Sequence, residues 1–248
     1  MLLKRLKKTA QSSSTQYRQG SGEMFDVLAP RYDLLNRMMS LGLDQRWRRQ
    51  MVKALYKPNR TKRILDVATG TGDVALRLAL EFPQCEVVGI DPSEEMLKIA
   101  RRKSARQGFS NRCSFLKGDI LDLPFPDNAF DHSCIAFGIR NVTDRARGLR
   151  ELARVTHTSG LVSILELGMP RHGIMAALAR MHAQTFAPVV GGLFSIKDDY
   201  DYLQRSMGTF PQPNQWMHLM EENAIIPVGY QAFGMGIAHL YVGRITQS

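Results

Sequence analysis

The run Ile64-Leu65-Asp66-Val67-Ala68-Thr69-Gly70-Thr71-Gly72-Asp73 admits few folds. Ile64, Leu65 and Val67 suit a buried strand, and the chain then meets two glycines before the helical run Val74 to Leu80, opened by Asp73. Gly70 and Gly72 remove side chains where a ligand must approach the backbone, so the strand, turn and helix form a candidate cofactor cradle. Glycines at a tight turn also serve structure alone. The turn by itself names no ligand.

A second signal follows one strand later. Glu86-Val87-Val88-Gly89-Ile90-Asp91 is another apolar run ending in an acid, and a carboxylate at that strand end can accept both hydroxyls of a ribose. Glycine loop and strand-end acid together indicate a nucleoside cofactor. A dinucleotide would place its pyrophosphate on the helix N-terminus, where this chain carries Asp73. A carboxylate there disfavours a second anion and favours an amino group or a sulfonium, which points to S-adenosyl-L-methionine rather than NAD. The expected cofactor contacts are Gly70, Thr71, Gly72, Asp73 and Asp91, with no metal.

The chain has 248 residues, 44% apolar and 23% charged, which suits one folded α/β domain with a real core. Its 33 Lys and Arg against 23 Asp and Glu give +10, compatible with an anionic membrane surface, nucleic acid or plain surface bias. Cys85, Cys113 and Cys134 have no close pair, which supports neither a zinc site nor a disulfide scaffold. No stretch is long and apolar enough to span a bilayer. Residues 1–22 read as a basic disordered tail, and their composition is also compatible with an organelle presequence.

The remainder, 23–248, reads as a single domain with an N-terminal helical arm at 23–57. Pro30 bends that arm into two short helices, and Asp44 to Leu55 forms a third. Met96, Leu97 and Ala100 give the helix after Asp91 a buried stripe, while Arg101, Arg102, Lys103 and Arg106 load its far end with favourable positive charge. Phe115 to Asp119 is a third strand ending in an acid. Asp119 is placed to accept from a purine amine and Ile120 to offer apolar contact, with a loop cap as the plainer reading. Phe130 to Gly138 is the fourth strand, Arg145 to Val155 a helix, and Gly160 turns the chain into the fifth strand, Leu161 to Leu167. Glu166 sits among its aliphatics and must be paired, either structurally with a crevice residue or in catalysis. An insertion at about 169–213 includes the apolar run Ile174 to Phe186 and is placed to shape a substrate pocket, and Ile225 to Phe233 and Ile237 to Val242 close the sheet.

With these residues in hand, the chain resembles the class I S-adenosylmethionine-dependent methyltransferases, and more closely the ubiquinone/menaquinone biosynthesis C-methyltransferases. Met24-Phe25-Asp26 with Ala29 to Asn36 looks like the family's first signature, and Asn128 to Asp131 followed by Phe137 to Asp144 like its most specific one. Tyr202-Leu203, Ser206 and Phe210-Pro211 are similar to its late substrate segment. The resemblance implies a Rossmann-like α/β fold, a mostly parallel seven-stranded sheet with helices on both faces and the N-terminal arm. It puts Thr71 and Asp91 at the cofactor and Asp119 and Ile120 beside the adenine. The family commonly has a serine where this chain has Ala136, and a more polar loop in place of Leu167-Gly168-Met169.

The implied reaction is methyl transfer to a ring carbon of a polyprenylated quinol, with S-adenosyl-L-homocysteine as product. The wording of the first signature leans toward demethylmenaquinol, with benzoquinol still open. Arg140 is assigned to stabilise the developing oxyanion and Asn141 to hold a water or hydroxyl, with a crevice-rim ion pair as the structural alternative for Arg140. Asp33 is a candidate proton acceptor, and Tyr32 and Tyr202 are candidate pocket residues. His239 lies within a closing strand and stays outside the catalytic set. The rival enzyme is a C- or O-methyltransferase of a soluble phenolic or polyketide. The absence of an appended basic-aromatic module points away from nucleic acid. A substrate held in lipid implies a cytoplasmic enzyme visiting the inner face of the membrane through weak contacts with anionic lipid. Homodimerisation or association with other quinone-biosynthesis enzymes stays open.

Overall fold

Strand β1 (Arg63–Val67) becomes the middle of a sheet because Ile64, Leu65 and Val67 place apolar side chains on both faces, with Asp66 buried among them. The computed structural model describes residues 22–55, 61–168, 206–234 and 236–246. β2 (Glu86–Asp91) and β4 (Phe130–Ala136) flank β1 in parallel, and β3 (Cys113–Lys117) and β5 (Thr156–Leu167) extend the parallel sheet outward. β7 (Ala238–Ile245) then runs antiparallel between β5 and the edge strand β6 (Ile225–Phe233). The order β3-β2-β1-β4-β5-β7-β6 reverses direction at β1 and β4, which opens a crevice at their carboxyl ends.

Helices cover both faces. α3 (Asp44–Ala54), α4 (Asp73–Glu81) and α5 (Glu94–Arg106) bury Met51, Leu78 and Leu97 in one core layer. α6 (Arg145–Val155) and α7 (Pro213–Glu222) bury Leu149, Leu152, Trp216 and Met220 in the other. The Ser93 hydroxyl accepts from Met96 N to cap α5, and Asp144 accepts from Arg147 N to cap α6. Ahead of them, α1 (Gly22–Leu28) and α2 (Tyr32–Met39) flank Pro30, the bend expected from a proline that cannot continue a helix.

Several strand boundaries differ from the sequence reading: β3 spans Cys113–Lys117 rather than Phe115 to Asp119, β4 ends at Ala136 rather than Gly138, and β5 and β7 depart further. β5 starts directly after α6, at Thr156, and Gly160 lies inside it rather than at its entrance. The pairing with β4 slips between Phe130 and His132, and at that bulge a side chain on Gly160 would collide with the Asp131 carbonyl. Gly160 therefore answers a close approach, not a turn. β7 also runs on to Ile245, because it is paired on both sides along its length. Most of the expected insertion, Tyr202, residues 1–21 and residues 56–57 of the arm lie outside the described residues.

The glycine turn tolerates no side chain at Gly72. Its φ is +84°, and a Cβ there would lie 2.9 Å from the Ala100 Cβ on α5. Gly72→Ala is expected to lower folding stability by about 1–3 kcal/mol, read from the denaturant midpoint at unchanged slope. A midpoint equal to that of the parent would show that the turn relaxes freely.

Candidate active site

The crevice at the carboxyl ends of β1, β2 and β4 is a cavity of about 320 Å³, in the lower part of the range for small-molecule sites. Gly70, Asp91, Asp119, Ile120 and Asn141 all line it, together with Tyr32 and Phe25 from the arm. Ala136 and Phe137 contribute from the end of β4, and Val142 and Thr143 from beyond it. Phe25 and Tyr32 meet edge to face, with ring centroids 6.2 Å apart, where α1 and α2 border the cavity.

Backbone geometry explains why the turn and Asp91 come together. Ala68, Gly70 and Gly72 all take positive φ, which curls the chain tightly after β1. Thr69 Oγ1 donates to the buried Asp66 carboxylate at 2.6 Å, and Gly70 N donates to Asp91 Oδ2 at 2.8 Å. The other Asp91 oxygen accepts from Ser93 N at 2.9 Å. One carboxylate thus pins the glycine turn to the start of α5 while keeping a face on the cavity. Burial pushes its pKa up to about 6, with the Ser93 and Gly70 bonds opposing the rise and the nearby Asp26 charge adding to it. Asp66, buried beneath the turn, is also raised by burial to about 6, against the hydrogen bonds from Thr69 and Cys134.

Asp73, Thr71 and Asp33 form a separate polar knot beside the cavity and are not among the residues that line it. Lys103 Nζ stands 2.6 Å from both Asp33 Oδ2 and Asp73 Oδ1, and donates to Thr71 Oγ1 at 3.0 Å. Thr71 Oγ1 in turn donates to Asp33 Oδ1 at 2.6 Å. Burial opposes ionisation of Asp73, but Lys103, Arg48 and Arg37 outweigh it and hold the carboxyl below its usual range. The cation that Asp73 was expected to attract is therefore supplied by the chain itself. Both Asp33 oxygens are engaged as well, so this carboxylate ties α2 to the glycine turn instead of facing a substrate proton. Lys103 was read as charge at a helix end. Its spacing carried the missed signal, since it lies seven residues after Met96 and three after Ala100, on the inward stripe of α5.

Arg140 likewise turns away from the cavity. Its Nη1 donates to Glu166 Oε1 at 2.7 Å and to the Phe137 carbonyl, and its backbone N donates to Glu166 Oε2 at 3.0 Å. Glu166 is fully buried, and its Oε1 also accepts from Leu167 N. The structure thus replaces direct contact with a developing oxyanion by the ion pair that a buried glutamate requires. The pair clamps the short 3-10 turn Ile139–Asn141 to β5 and leaves Asn141 on the cavity wall. Asp119 acts as the loop cap of the plainer reading, its Oδ1 accepting from Leu121 N at 3.0 Å, and the residue also lines the cavity. Tyr202 lies outside the described residues.

An acid at the end of β2, an acid-isoleucine pair after β3, a glycine turn after β1 and the seven-stranded order define a class I S-adenosylmethionine-dependent methyltransferase. The fold is shared with a chain from the complex of the Haloferax volcanii Trm112 methyltransferase activator and a putative methyltransferase. That likeness has a TM-score of 0.65 at 18% identity, covering 90% of this chain and 98% of the other. The chain belongs to the ubiE/COQ5 methyltransferase family, whose profile matches residues 11–244. It is 44% identical to the ubiquinone/menaquinone biosynthesis C-methyltransferase UbiE of Geotalea daltonii, over 90% of this chain and 94% of the relative. It is 46% identical to the demethylmenaquinone methyltransferase of Thermus thermophilus, over 89% of this chain and 99% of the relative.

The site fits S-adenosylmethionine on its own geometry. The Asp91 carboxylate borders a cavity whose neighbouring Gly70 has only the Tyr32 ring within reach of a would-be Cβ, at 3.8 Å. Asp91 must be ionised to accept ribose hydroxyls, so cofactor affinity should hold steady near neutrality and fall by up to about tenfold per pH unit below about pH 6. The same raised pKa means that ionising Asp91 costs the folded apoprotein stability, most of it present once the pH has risen through about 6. Titration calorimetry across this range checks the binding half, and an affinity independent of pH would remove Asp91 from the ribose contact. Separately, Glu166→Ala should cost about 3–5 kcal/mol in chemical denaturation by stranding the buried Arg140. A loss below about 1 kcal/mol would mean that the clamp is not a structural one.

Proposed function

We propose that this enzyme methylates a ring carbon of a polyprenylated quinol, with demethylmenaquinol favoured over a benzoquinol. The observation that carries this reading is the kinship along nearly the whole of both chains with relatives named as demethylmenaquinone and ubiquinone/menaquinone methyltransferases. The cavity wall supports it, with Phe25, Ile135, Phe137 and Val142 offering apolar surface and Asn141, Thr143 and Tyr32 a few polar groups.

When bound, S-adenosylmethionine supplies an electrophilic methyl group on a sulfonium centre, leaving as S-adenosylhomocysteine. Asp91 holds the ribose hydroxyls, and Asp119 with Ile120 holds the base. Asn141 would orient the quinol hydroxyl and a water that takes its proton, which makes the neighbouring ring carbon nucleophilic. Once that carbon has taken the methyl group, loss of its ring proton to water restores the aromatic quinol. Arg140 works through position: paired with Glu166, it fixes the turn that presents Asn141. Asp33 and Lys103 hold the arm so that Phe25 and Tyr32 shield the reacting groups from water. A prenyl tail keeps such a substrate in lipid, at about 0.8 kcal/mol per buried methylene, and the enzyme meets it at the inner face of the membrane. No helix among the described residues is long and apolar enough to cross a membrane.

The test is transfer of an isotopically labelled methyl group to demethylmenaquinol, with a benzoquinol precursor in a parallel reaction and the ring-methylated product read by mass. Asn141→Ala is expected to lower kcat about 10- to 100-fold while cofactor affinity stays within about twofold. Failure to label either quinol, with labelling of a soluble phenol instead, would replace the lipid substrate by a soluble one.

A further inference from the structure

We infer that the turn between α2 and α3 is a membrane-docking tip that inserts Leu41 and Leu43 into a bilayer carrying anionic headgroups. The inference rests on the reading of a lipid-borne substrate, and it adds the surface that would meet the lipid. Nine large apolar side chains stand exposed among the described residues, and four of them belong to the short arm: Val27 at 61%, Leu34 at 54%, Leu41 at 72% and Leu43 at 42%. Leu41 and Leu43 flank Gly42, where an added Cβ would find nothing within 4 Å among the described residues, so this turn stands clear of the rest of the described fold. Leu41 also holds a left-handed φ of 51°, a conformation that favours small or polar residues. Neither burial nor turn chemistry explains a leucine there.

The charges of the same segment are sorted by direction. Three of its acids face the protein. Asp26 accepts from Ser93 Oγ and Glu95 N, Asp33 is tied to Thr71 and Lys103, and Asp44 is buried against Ser40 and Arg48. Glu23 is the one exposed acid between residues 22 and 54, whereas Arg31, Arg37, Arg46, Arg49 and Lys53 are all exposed. Arg37 reaches Asp73 only at 3.4 Å, with half of its side chain in solvent. The outer surface of the arm therefore combines aliphatic side chains at a protruding turn with surrounding cations. This is the arrangement that suits the headgroup region of an anionic bilayer, with leucines entering the acyl boundary and arginines meeting phosphates. Nucleic acid would instead call for exposed aromatic rings among the cations. The site is continuous with this surface, because α1 and α2 also carry Phe25 and Tyr32 to the cavity.

The test uses the full chain and sedimentation with vesicles of phosphatidylcholine alone, or with about one-fifth phosphatidylglycerol, at low and high salt and without quinol. The expected result is binding to the anionic vesicles that fades with salt, and a loss of at least roughly tenfold in Leu41→Ser/Leu43→Ser. Arg46→Glu/Arg49→Glu should weaken the same binding without touching a core residue. A Leu43→Trp reporter should be quenched by lipids brominated in their acyl chains, and the native Trp47 and Trp216 are buried enough to stay silent. Failure of the parent chain to bind anionic vesicles, equal binding to neutral ones, undiminished binding by the leucine variant, or an unquenched reporter would each overturn the inference. So would a leucine variant that turns a dimer into a monomer while vesicle binding persists, which would assign the tip to a second copy of the chain. Methylation of a short-tailed, water-soluble quinol should be unchanged in the leucine variant. Absence of that activity in the parent chain would defeat the quinol reading alone, leaving the vesicle result to stand or fall by itself.

Discussion

The carboxylate of Asp91 holds the site together. Two backbone amides from different segments, Gly70 after β1 and Ser93 before α5, converge on its two oxygens. Without an acceptor at that point the glycine turn and the α5 entrance would each leave a buried N–H unpaired, at about 1–3 kcal/mol apiece. The desolvation needed to bury the acid is the same one that raises its pKa, so the group that organises the loops is also easily neutralised by acid. The side chain that does this structural work is also the one proposed to hold the ribose.

The other charged groups around the crevice follow a common rule: those that are buried or half-buried are committed to one another. Glu166 takes the guanidinium and backbone of Arg140, and Lys103 gathers Asp33, Asp73 and Thr71. Each cluster joins elements far apart in the chain, the first joining the end of β4 to β5 and the second the N-terminal arm to α4 and α5. Breaking either one strands a charge in a poorly solvated place, so these contacts fix position more than they offer reactive groups. What remains on the cavity wall is a small polar set, Asp91, Asp119, Asn141, Thr143 and Tyr32, among apolar neighbours. That sparseness suits a reaction whose reactive methyl group is carried by a cofactor and whose nucleophile is the substrate's own carbon.

The arm joins both sides of this arrangement. Its acids are used inward, to dock α1 and α2 on α5 and the glycine turn, and most of its bases are left outward. A segment with this division can close over a cavity and present a cationic outer surface without rearranging its contacts. The edge-to-face pair of Phe25 and Tyr32 marks where the inner surface meets the site.

The sequence alone determined the sheet, because runs such as Val87 to Ile90 offer no polar side chain on either face and a covered parallel sheet buries them. It also determined the acid at the end of β2, since Asp91 follows an apolar run directly and the crevice of such a sheet lies at the carboxyl ends of its strands. Asp119, by contrast, stands two residues beyond the end of β3, after Lys117 and Gly118. Partnerships were decided only in three dimensions. Asp73, Asp33 and Arg140 are written in the sequence as charges available to ligand or substrate, and the fold spends them on Lys103, Thr71 and Glu166. Gly160 read as a turn because a glycine shows no side chain to reveal what approaches it, and only the neighbouring Asp131 carbonyl explains it. A local pattern records which residues must be buried, but which charge meets which depends on chain segments tens of residues apart, and only tertiary packing brings those together.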